Sequence, residues 1–363
     1  MQAIEQALIS FFEQVAQKNK SWLKKLKQEQ CFSVDQWRWC FTLPDLYLFL
    51  QHQDDIYGSI DYKQFRQLIF NSPINQAVKL YGAEITITDN QARVDRSGYA
   101  LVWLARNLQH MQTDALKFVH ITDPHLLDQP EETFHSLNTR KNLEAVLSDS
   151  LMRYPDIDFL LFTGDISQTG SEESYTLFNS LVQQYDLPIY CIPGNHDTPE
   201  LLQHVIPNCP DKSINIIQSD KFSLVLLNSR VENREHGMIT QHCLQQLEEH
   251  LKNGEDQFNI IAIHHPPVLI NSRWLDEIGL LNKTEFLQTI NKYPRNTLLL
   301  FGHVHQEIDQ QLDNLRLLAT PSTCYQFKAN SEYMHRIDTP SAAYRFVKLS
   351  TKNNIETKVH YVE

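Results

Sequence analysis

Seven candidate metal ligands and one further histidine lie in five short motifs along this chain of 363 residues. In chain order, the motifs are Asp123-x-His125, Gly164-Asp165, Gly194-Asn195-His196-Asp197, His264 and Gly302-His303-Val304-His305. Carboxylate, carboxamide and imidazole groups suit Zn, Fe, Mn, Co or Ni better than copper-thiolate or calcium sites. Two metals about 3.5–4 Å apart need a bridging ligand, and the Asp165 carboxylate is the natural bridge. The motifs therefore predict two adjacent metal sites.

A short, continuously apolar run precedes each motif. The runs cover residues 118–121, 159–162, 189–192, 260–263 and 298–301. Such runs are expected of strands that are buried on both faces, and helical segments at 143–153 and 174–184 intervene. Because chemistry in open α/β sheets gathers at the carboxyl ends of the strands, the pattern predicts an α/β fold. Each candidate ligand is expected just past the end of a strand.

The first part of the chain differs from the rest, and we interpret it as a separate domain. The predicted boundary divides an N-terminal α+β unit, 1–115, from a larger domain, 116–363. Apolar residues at helical spacing predict a first amphipathic helix over 4–15. A second helix is predicted over 62–80. No chemical motif occurs in this unit, so its role is not evident from the sequence.

The N-terminal unit is also rich in tryptophan. Four of the five tryptophans fall there, at positions 22, 37, 39 and 103. The segments 84–88 and 100–103 in the same unit predict a β-hairpin or a short meander. The simplest interpretation of the tryptophans is that they fill a small core. The alternative is a contact surface, which would make the protein a homodimer through its N-terminal unit.

The charge of the chain is unevenly distributed and limits its partners. Residues 1–115 carry 12 Lys or Arg and 12 Asp or Glu, whereas 116–363 carry 20 and 32, so the second part holds the whole net charge of −12. Because nucleic-acid binding normally needs a basic face, we expect small anionic substrates and no nucleic acid polymer. No apolar run approaches the roughly 20 residues of a membrane helix. We therefore expect a cytoplasmic protein without a membrane segment.

The five motifs resemble those of the calcineurin-like metallophosphoesterases, over about residues 117–310. The resemblance implies an αββα sandwich, with two mixed sheets face to face and helices outside. It implies that one metal is held by Asp123, His125, Asp165 and His305. It implies that the other is held by Asp165, Asn195, His264 and His303. The metals would be two divalent or trivalent ions, with iron and manganese favoured and zinc or cobalt as alternatives.

Other residues narrow the resemblance within this superfamily. Its protein Ser/Thr phosphatases carry an arginine soon after the Gly-Asp motif and a glutamate after Gly-Asn-His. Here 166–170 contain no arginine, and Asp197 follows His196. Instead, His264-His265-Pro266-Pro267, the segment 321–327 and the C-terminal tail resemble the bacterial class III cyclic-nucleotide phosphodiesterases. The N-terminal unit is a departure, because those shorter enzymes lack it.

This narrower resemblance implies two-metal hydrolysis of a small-molecule phosphodiester, with conversion of 3′,5′-cyclic AMP to 5′-AMP as the leading reaction. The metals would share a water and lower its pKa, so that a hydroxide attacks phosphorus. His196 would protonate the departing 3′-oxygen as general acid, and Asp197 is expected to orient His196. The implied substrate contacts are Asn195, His196, His125, Asp165 and His305.

Several alternatives stay open. Within the enzyme class, they are hydrolysis of 2′,3′-cyclic nucleotides or glycerophosphodiesters and a nucleotide-sugar or lipid pyrophosphatase. From a different class comes a non-catalytic metal-binding scaffold, which would tend to lose ligands, and none is missing here. Whether His265 or His236 contacts substrate is also open. We expect His265 to face away from the metals or to lie behind their ligands, and His120 to support the site from its strand.

Overall fold

The computed structural model describes residues 2–17, 19–34, 38–79, 83–89, 91, 93–103, 108, 113–185, 187–210, 213–254, 257–293, 296–337, 342–351 and 354–362. The chain forms two compact units, Met1–His110 and Met111–Glu363. The division lies a few residues before the boundary predicted after residue 115. In the described part of the chain, no helix is both long and apolar enough to cross a membrane.

The first unit combines helices with a small antiparallel sheet. Its helices are α1 (Gln2–Ala16), α2 (Lys20–Gln28), α3 (Leu43–Gln53), α4 (Tyr62–Asn71) and α5 (Ile74–Lys79). Its strands are β1 (Ser33–Val34), β2 (Arg38–Phe41), β3 (Ala83–Asp89) and β4 (Gly98–Trp103). The strands pair in the order β1-β2-β4-β3. The predicted first helix is confirmed, since α1 buries Leu8, Phe12 and Val15 in the core of this unit.

The predicted second helix over 62–80 is wrong, because the structure has two helices there. The chain leaves helical geometry at Ser72, where φ is −81° and ψ is 148°, and resumes it in α5. The next residue is Pro73. Proline lacks the backbone N–H and disfavours helical geometry in the residue before it, so the break follows from the sequence. The predicted end at Leu80 lies outside the described residues.

The expected hairpin is confirmed, because β3 and β4 pair antiparallel. Trp39 is fully buried in the core of the unit, and Trp22 packs against that core. These two side chains fill the core as expected. Trp37 and the side chain of Trp103 lie outside the described residues.

The second unit contains two larger sheets and the helices that cover them. Its strands are β5 (Ala115–Ile121), β6 (Phe159–Thr163), β7 (Ile189–Ile192), β8 (Ile214–Gln218), β9 (Phe222–Leu227), β10 (Phe258–Ile263), β11 (Thr297–Phe301), β12 (Ile308–Leu312), β13 (Leu315–Ala319), β14 (Gln326–Phe327), β15 (Arg336–Ile337), β16 (Ala342–Ser350) and β17 (Ile355–Val362). Its helices are α6 (Thr139–Arg153), α7 (Glu172–Val182), α8 (Pro199–Val205), α9 (Gln241–Asn253), α10 (Arg273–Glu277) and α11 (Lys283–Asn291). All five predicted strands are present, as β5, β6, β7, β10 and β11.

Both larger sheets are mixed. Within the described residues, one has the order β17-β16-β5-β6-β7 and the other β12-β13-β11-β10-β9-β8. In the first, β5, β6 and β7 run parallel, while β16 is antiparallel to β5 and to β17. In the second, β9, β10, β11 and β13 run parallel, and β8 and β12 join antiparallel at the edges. The predicted α/β sandwich with two mixed sheets is confirmed.

The central strands β6, β9, β10 and β11 are buried along their whole length, because both faces of each sheet are covered there. On the outer faces, one core joins α6, α7 and α8 to the first sheet, and another joins α9, α10 and α11 to the second. On the inner face, the buried rings of Phe118 and Phe159 stack with centroids 4.7 Å apart. His120 of β5 also contacts Thr320, just past β13, so the inner faces of the two sheets meet there. Burial on both sides explains why the sequence shows continuous apolar runs.

Candidate metal centre

The parallel strands bring the five motifs to one place. Asp123 and His125 follow β5, Asp165 follows β6, and Asn195 with His196 follow β7. From the second sheet, His264 follows β10, while His303 and His305 follow β11. Overlapping groups of these side chains place their ligand atoms within 4.8 Å of one another. The structure therefore gathers at one site residues that span 183 positions of the chain.

The backbone at this site is strained. The left-handed region is rarely occupied by residues other than glycine, and such strain concentrates at functional sites. The φ angle is positive at Asp123 (52°), His125 (48°), Asp165 (49°), His303 (67°) and His305 (48°). Glycine or asparagine is the usual residue at such positions, so the strain marks these five residues as candidates for a functional site.

Glycines allow the loops to approach one another closely. Gly164 has φ of 97°, and a Cβ atom there would lie 2.5 Å from Nδ1 of His264. A Cβ atom on Gly194 would lie 2.2 Å from Oδ1 of Asp165. Both distances are below any normal contact, so any larger residue would displace a candidate ligand.

The first group of candidate ligands surrounds the Asp123 carboxylate. Its Oδ2 accepts hydrogen bonds from the Thr122 hydroxyl (2.6 Å) and the His303 backbone N–H (3.0 Å). Its Oδ1 faces Nε2 of His305 at 3.3 Å and Nε2 of His125 at 3.9 Å. Nδ1 of His305 donates to the Tyr325 carbonyl oxygen at 2.7 Å, which leaves Nε2 as the ligand atom.

The second group surrounds His264. Nδ1 of His264 donates to the Thr163 carbonyl oxygen at 2.7 Å, so Nε2 is the nitrogen left to bind a metal once its proton is displaced. That Nε2 lies 3.2 Å from Oδ1 of Asn195 and 3.3 Å from Nδ1 of His303. Three ligand atoms of different side chains thus point at one position.

Asp165 lies between the two groups. Its Oδ1 accepts the backbone N–H of His196 at 2.9 Å. Its Oδ2 faces Nε2 of His264 at 3.4 Å and Nε2 of His125 at 3.8 Å, and these histidines belong to different groups. One oxygen is therefore fixed by the backbone, and the other faces histidines of both groups.

The charges of the site are mutually dependent. Burial alone would raise the pKa of both carboxyl groups. His305 outweighs burial and lowers the pKa of Asp123 to about 2, and His264 holds the pKa of Asp165 well below its usual range. Asp165 in turn raises the pKa of His264 to about 9 against the effect of burial. Two ionised carboxylates therefore persist in a buried site, and a metal must displace a proton from His264.

The residues present fit metal ions. Asp123 Oδ1 is buried and accepts no hydrogen bond from the described residues, although it belongs to an ionised group. A buried carboxylate oxygen without a donor is costly unless a cation neutralises it. Burial also lowers the pKa of His125 to about 4 and that of His303 to about 3, and a neutral imidazole is the form that binds metals. The donor set of carboxylate, amide and imidazole suits divalent metals.

His196 is exposed at the edge of the first group. Its ring centroid is 5.1 Å from that of His125. Its Nδ1 lies 3.2 Å from the carbonyl oxygen and 3.3 Å from the side-chain amide nitrogen of Gln168, which leaves Nε2 to meet a ligand. This arrangement suits a group that exchanges a proton with substrate.

The expectation that Asp197 orients His196 is wrong. The Asp197 carboxylate is fully buried and serves as an acceptor for the loops around it. Its donors are the backbone N–H groups of Gly194, Ile166 and Ser167 and the hydroxyl of Tyr175. Because these donors come from three different segments, Asp197 locks the loops after β6 and β7 together.

His265 and His236 were the two uncertain histidines. By distance alone, His265 could join His264 and His303 in a metal group. However, its Nδ1 lies 2.7 Å from the Ser229 hydroxyl and its Nε2 lies 3.0 Å from the Glu235 carbonyl oxygen. Both nitrogens of His265 are therefore engaged with groups other than the candidate ligands, although its ring centroid lies 4.9 Å from that of His303. His236 is half-buried, and its contact with substrate stays a prediction.

The sequence did not reveal a hydrogen-bonded chain behind the site. The Thr320 hydroxyl lies 2.6 Å from Nδ1 of His120, and Nε2 of His120 lies 2.7 Å from the Thr163 hydroxyl. Thr163 donates to the Thr122 hydroxyl at 2.9 Å, and Thr122 donates to Asp123. His120 thus supports the site from its strand, as expected, but through partners that are distant in sequence. Aromatic rings beside His125 and His305 were also missed.

The chain is similar to known proteins of one family. The sequence model of the calcineurin-like phosphoesterases matches residues 116–307. The chain belongs to the calcineurin-like phosphoesterase family. The match covers the strands that carry all five motifs.

Three bacterial phosphodiesterases are similar to this chain over most of their own length. The chain is 29% identical over 249 residues to the 3′,5′-cyclic adenosine monophosphate phosphodiesterase CpdA of Haemophilus influenzae, covering 68% of this chain and 90% of that protein. It is 33% identical over 258 residues to CpdA of Vibrio vulnificus, covering 69% and 94%. It is 32% identical over 247 residues to a 3′,5′-cyclic-nucleotide phosphodiesterase of Nostoc sp., covering 68% and 92%. About a third of this chain is left unmatched by each relative.

Proposed function

We propose that the protein is a metal-dependent phosphodiesterase that hydrolyses 3′,5′-cyclic AMP to 5′-AMP. The observation that carries the proposal is the similarity to proteins of that name over 90–94% of their length. The site supports it, since six of the seven candidate ligands lie in overlapping groups of side chains close enough to share a metal, and Asn195 lies 3.2 Å from His264.

We assign one metal to Asp123, His125, Asp165 and His305. We assign the other to Asp165, Asn195, His264 and His303. When bound, the two ions would supply Lewis-acid activation of water and charge neutralisation at the phosphoryl group. We propose iron and manganese as the native pair, with zinc and cobalt as rivals.

The protein's own residues supply the remaining steps. The Asn195 amide lies beside His264 and can donate to a phosphoryl oxygen that gains charge. As the oxygen of water bonds to phosphorus and releases one proton to solvent, the bond from phosphorus to the 3′-oxygen breaks. We propose that Nε2 of His196 gives its proton to that oxygen, while the Gln168 carbonyl holds the ring by Nδ1. His125, Asp165 and His305 would line the same phosphate position.

Replacement of His196 tests this assignment. The His196→Ala variant should lose about 10²–10⁴-fold in turnover of cyclic AMP. Its metal content should stay near that of the wild type, because the proposal gives His196 no metal to hold. Unchanged turnover, or loss of metal, would remove His196 from the role of general acid.

We further propose that 116–363 is the catalytic domain of a cytoplasmic enzyme and that 1–115 is an accessory domain. A homodimer through the accessory domain stays part of this proposal. Light scattering of the full chain would measure its mass in solution, and a monomer at micromolar concentration would contradict the dimer.

A further inference from the structure

Aromatic side chains outside the proposed metal ligands lie against the first group. The ring of Phe134 stacks beside His125, with centroids 6.0 Å apart, and lies 5.8 Å from the ring of Tyr325. Tyr325 in turn lies 5.0 Å from His305. None of these rings takes part in the proposed chemistry. An aromatic surface therefore begins where the proposed metal ligands end.

The turn that presents this surface is unusual. Phe134 and Leu137 exchange two backbone hydrogen bonds, of 2.8 and 2.9 Å, around the two residues between them. Those residues, His135 and Ser136, have φ of 51° and 70°. A two-residue turn with both φ angles positive normally contains Asn-Gly or Gly-Gly, because side chains are strained there. The strain points to a function of the side chains that the turn presents.

The rings of this surface differ in exposure. Tyr325 is 8% exposed, and it packs between Phe134 and the guanidinium of Arg336, which lies 5.7 Å from its ring centroid. Phe134 is half-buried and His135 is exposed. His135 also meets the edge of Tyr325, with centroids 5.8 Å apart. Tyr325 is therefore the fixed base of the surface, and the two turn residues keep ring area free for a ligand.

We propose that Phe134 and His135, backed by Tyr325, form a subsite for the nucleobase of the substrate. The inference rests on the proposed function, in which the scissile phosphate lies at the neighbouring metal site. A planar heteroaromatic base stacks on aromatic side chains with little dependence on its identity. The subsite thus gives affinity for a nucleoside phosphodiester over a diester without a base, and it is open to other nucleotides besides cyclic AMP.

Two ligands that differ only in the base isolate this contribution. Calorimetry on the full chain loaded with Mn²⁺ would measure the affinity for 5′-AMP and for ribose 5-phosphate. The wild type should bind 5′-AMP at least about tenfold more tightly, since one stacked base contributes an effect of this order. Phe134→Ala should lower the affinity for 5′-AMP about tenfold and change the affinity for ribose 5-phosphate by no more than about twofold.

Two further variants guard against a purely structural effect. His135→Gly should also lower the affinity for 5′-AMP. It should not lower the stability of the protein, because glycine accepts a positive φ. Tyr293→Ala removes a partly buried ring that packs on the core around α9 and α11, and it should change neither affinity. Equal weakening of both ligands by Phe134→Ala, or a wild type without preference for 5′-AMP, would overturn the subsite. A wild type that prefers 5′-AMP but fails to hydrolyse cyclic AMP would instead reject the proposed reaction and leave the subsite standing.

Discussion

Replacement of His120 should weaken metal binding although His120 touches no proposed metal ligand. His120 is part of a series of hydrogen bonds that ends at Asp123. The donor in each of these bonds follows from which groups carry a proton. An ionised carboxylate only accepts, so Thr122 donates to Asp123 and must itself accept from Thr163. Thr163 then accepts from Nε2–H of His120, and Nδ1 accepts from Thr320. Burial keeps the ring neutral and lowers its pKa to about 3.

The His120→Phe variant fills the same space but breaks the chain at two points. The lost contacts, 2.6 Å to Thr320 and 2.7 Å to Thr163, are both buried. At about 1 kcal/mol for each hydrogen bond, the free energy of unfolding should fall by about 2 kcal/mol. Without an incoming donor, Thr163 no longer fixes Thr122 against Asp123. Groups that orient metal ligands typically contribute about 10–100-fold in metal affinity, and we expect a loss of that size.

Titration of the metal-free protein with Mn²⁺ would measure this loss, and urea unfolding would measure the stability. His360→Phe is the matched control, since it breaks one hydrogen bond of 2.7 Å to Tyr154, and neither residue belongs to the proposed metal site. The control should lose stability and keep its Mn²⁺ affinity within about twofold. If His120→Phe loses stability but binds Mn²⁺ like the wild type, the chain is only a packing feature and the reasoning fails.

Three further results are expected. Arg345→Met should lower the free energy of urea unfolding by about 3 kcal/mol, because the buried guanidinium donates hydrogen bonds to the carbonyl oxygens of Ile308 and Ala319, and each such bond from a charged group contributes about 1.5–3 kcal/mol; a loss under about 0.5 kcal/mol would contradict this. The pKa of His120 is lower in the folded protein than in the unfolded chain, so the unfolded chain takes up a proton first as the pH falls. His120 therefore lowers the free energy of unfolding as the pH falls below about 6.5. Between pH 8 and pH 5 the loss from His120 is about 2 kcal/mol, and unfolding of His120→Phe should show a smaller pH dependence. Mn²⁺ at about 100 times its dissociation constant should add about 2.7 kcal/mol to the wild type, and Asp165→Ala should lose most of this gain; equal stabilisation of both would count against the bridging role.

The strands and their polar ends were readable from the sequence because both signals are local. An apolar run such as 298–301 and the histidines after it are neighbours in the chain, and burial on both faces accounts for the run. The signal for the helix break at Pro73 was equally local, since proline disrupts a helix, but the prediction of one helix over 62–80 overlooked it. The division of the strands between two sheets was not readable in this way, because it depends on pairing between distant segments.

The supporting contacts of the site were missed for the same reason. His120 and Thr320 are 200 positions apart and meet only when two sheets pack face to face. The prediction that Asp197 orients His196 relied on their being neighbours in sequence. In the folded loops, the Asp197 carboxylate instead points toward Tyr175 and backbone N–H groups. The positive φ of His135 leaves no mark in the sequence beyond the absence of the glycine that such a turn prefers.

Hydrolysis of cyclic AMP tests the central claim most directly. Purified protein loaded with Mn²⁺ or Fe²⁺ would be incubated with 3′,5′-cyclic AMP beside the Asp165→Ala variant, and 5′-AMP would be followed by chromatography. We predict rapid, metal-dependent formation of 5′-AMP by the wild type and none by the variant. Hydrolysis of bis-p-nitrophenyl phosphate without any conversion of cyclic AMP would contradict the proposed substrate, and inactivity toward both would contradict the catalytic role of the site.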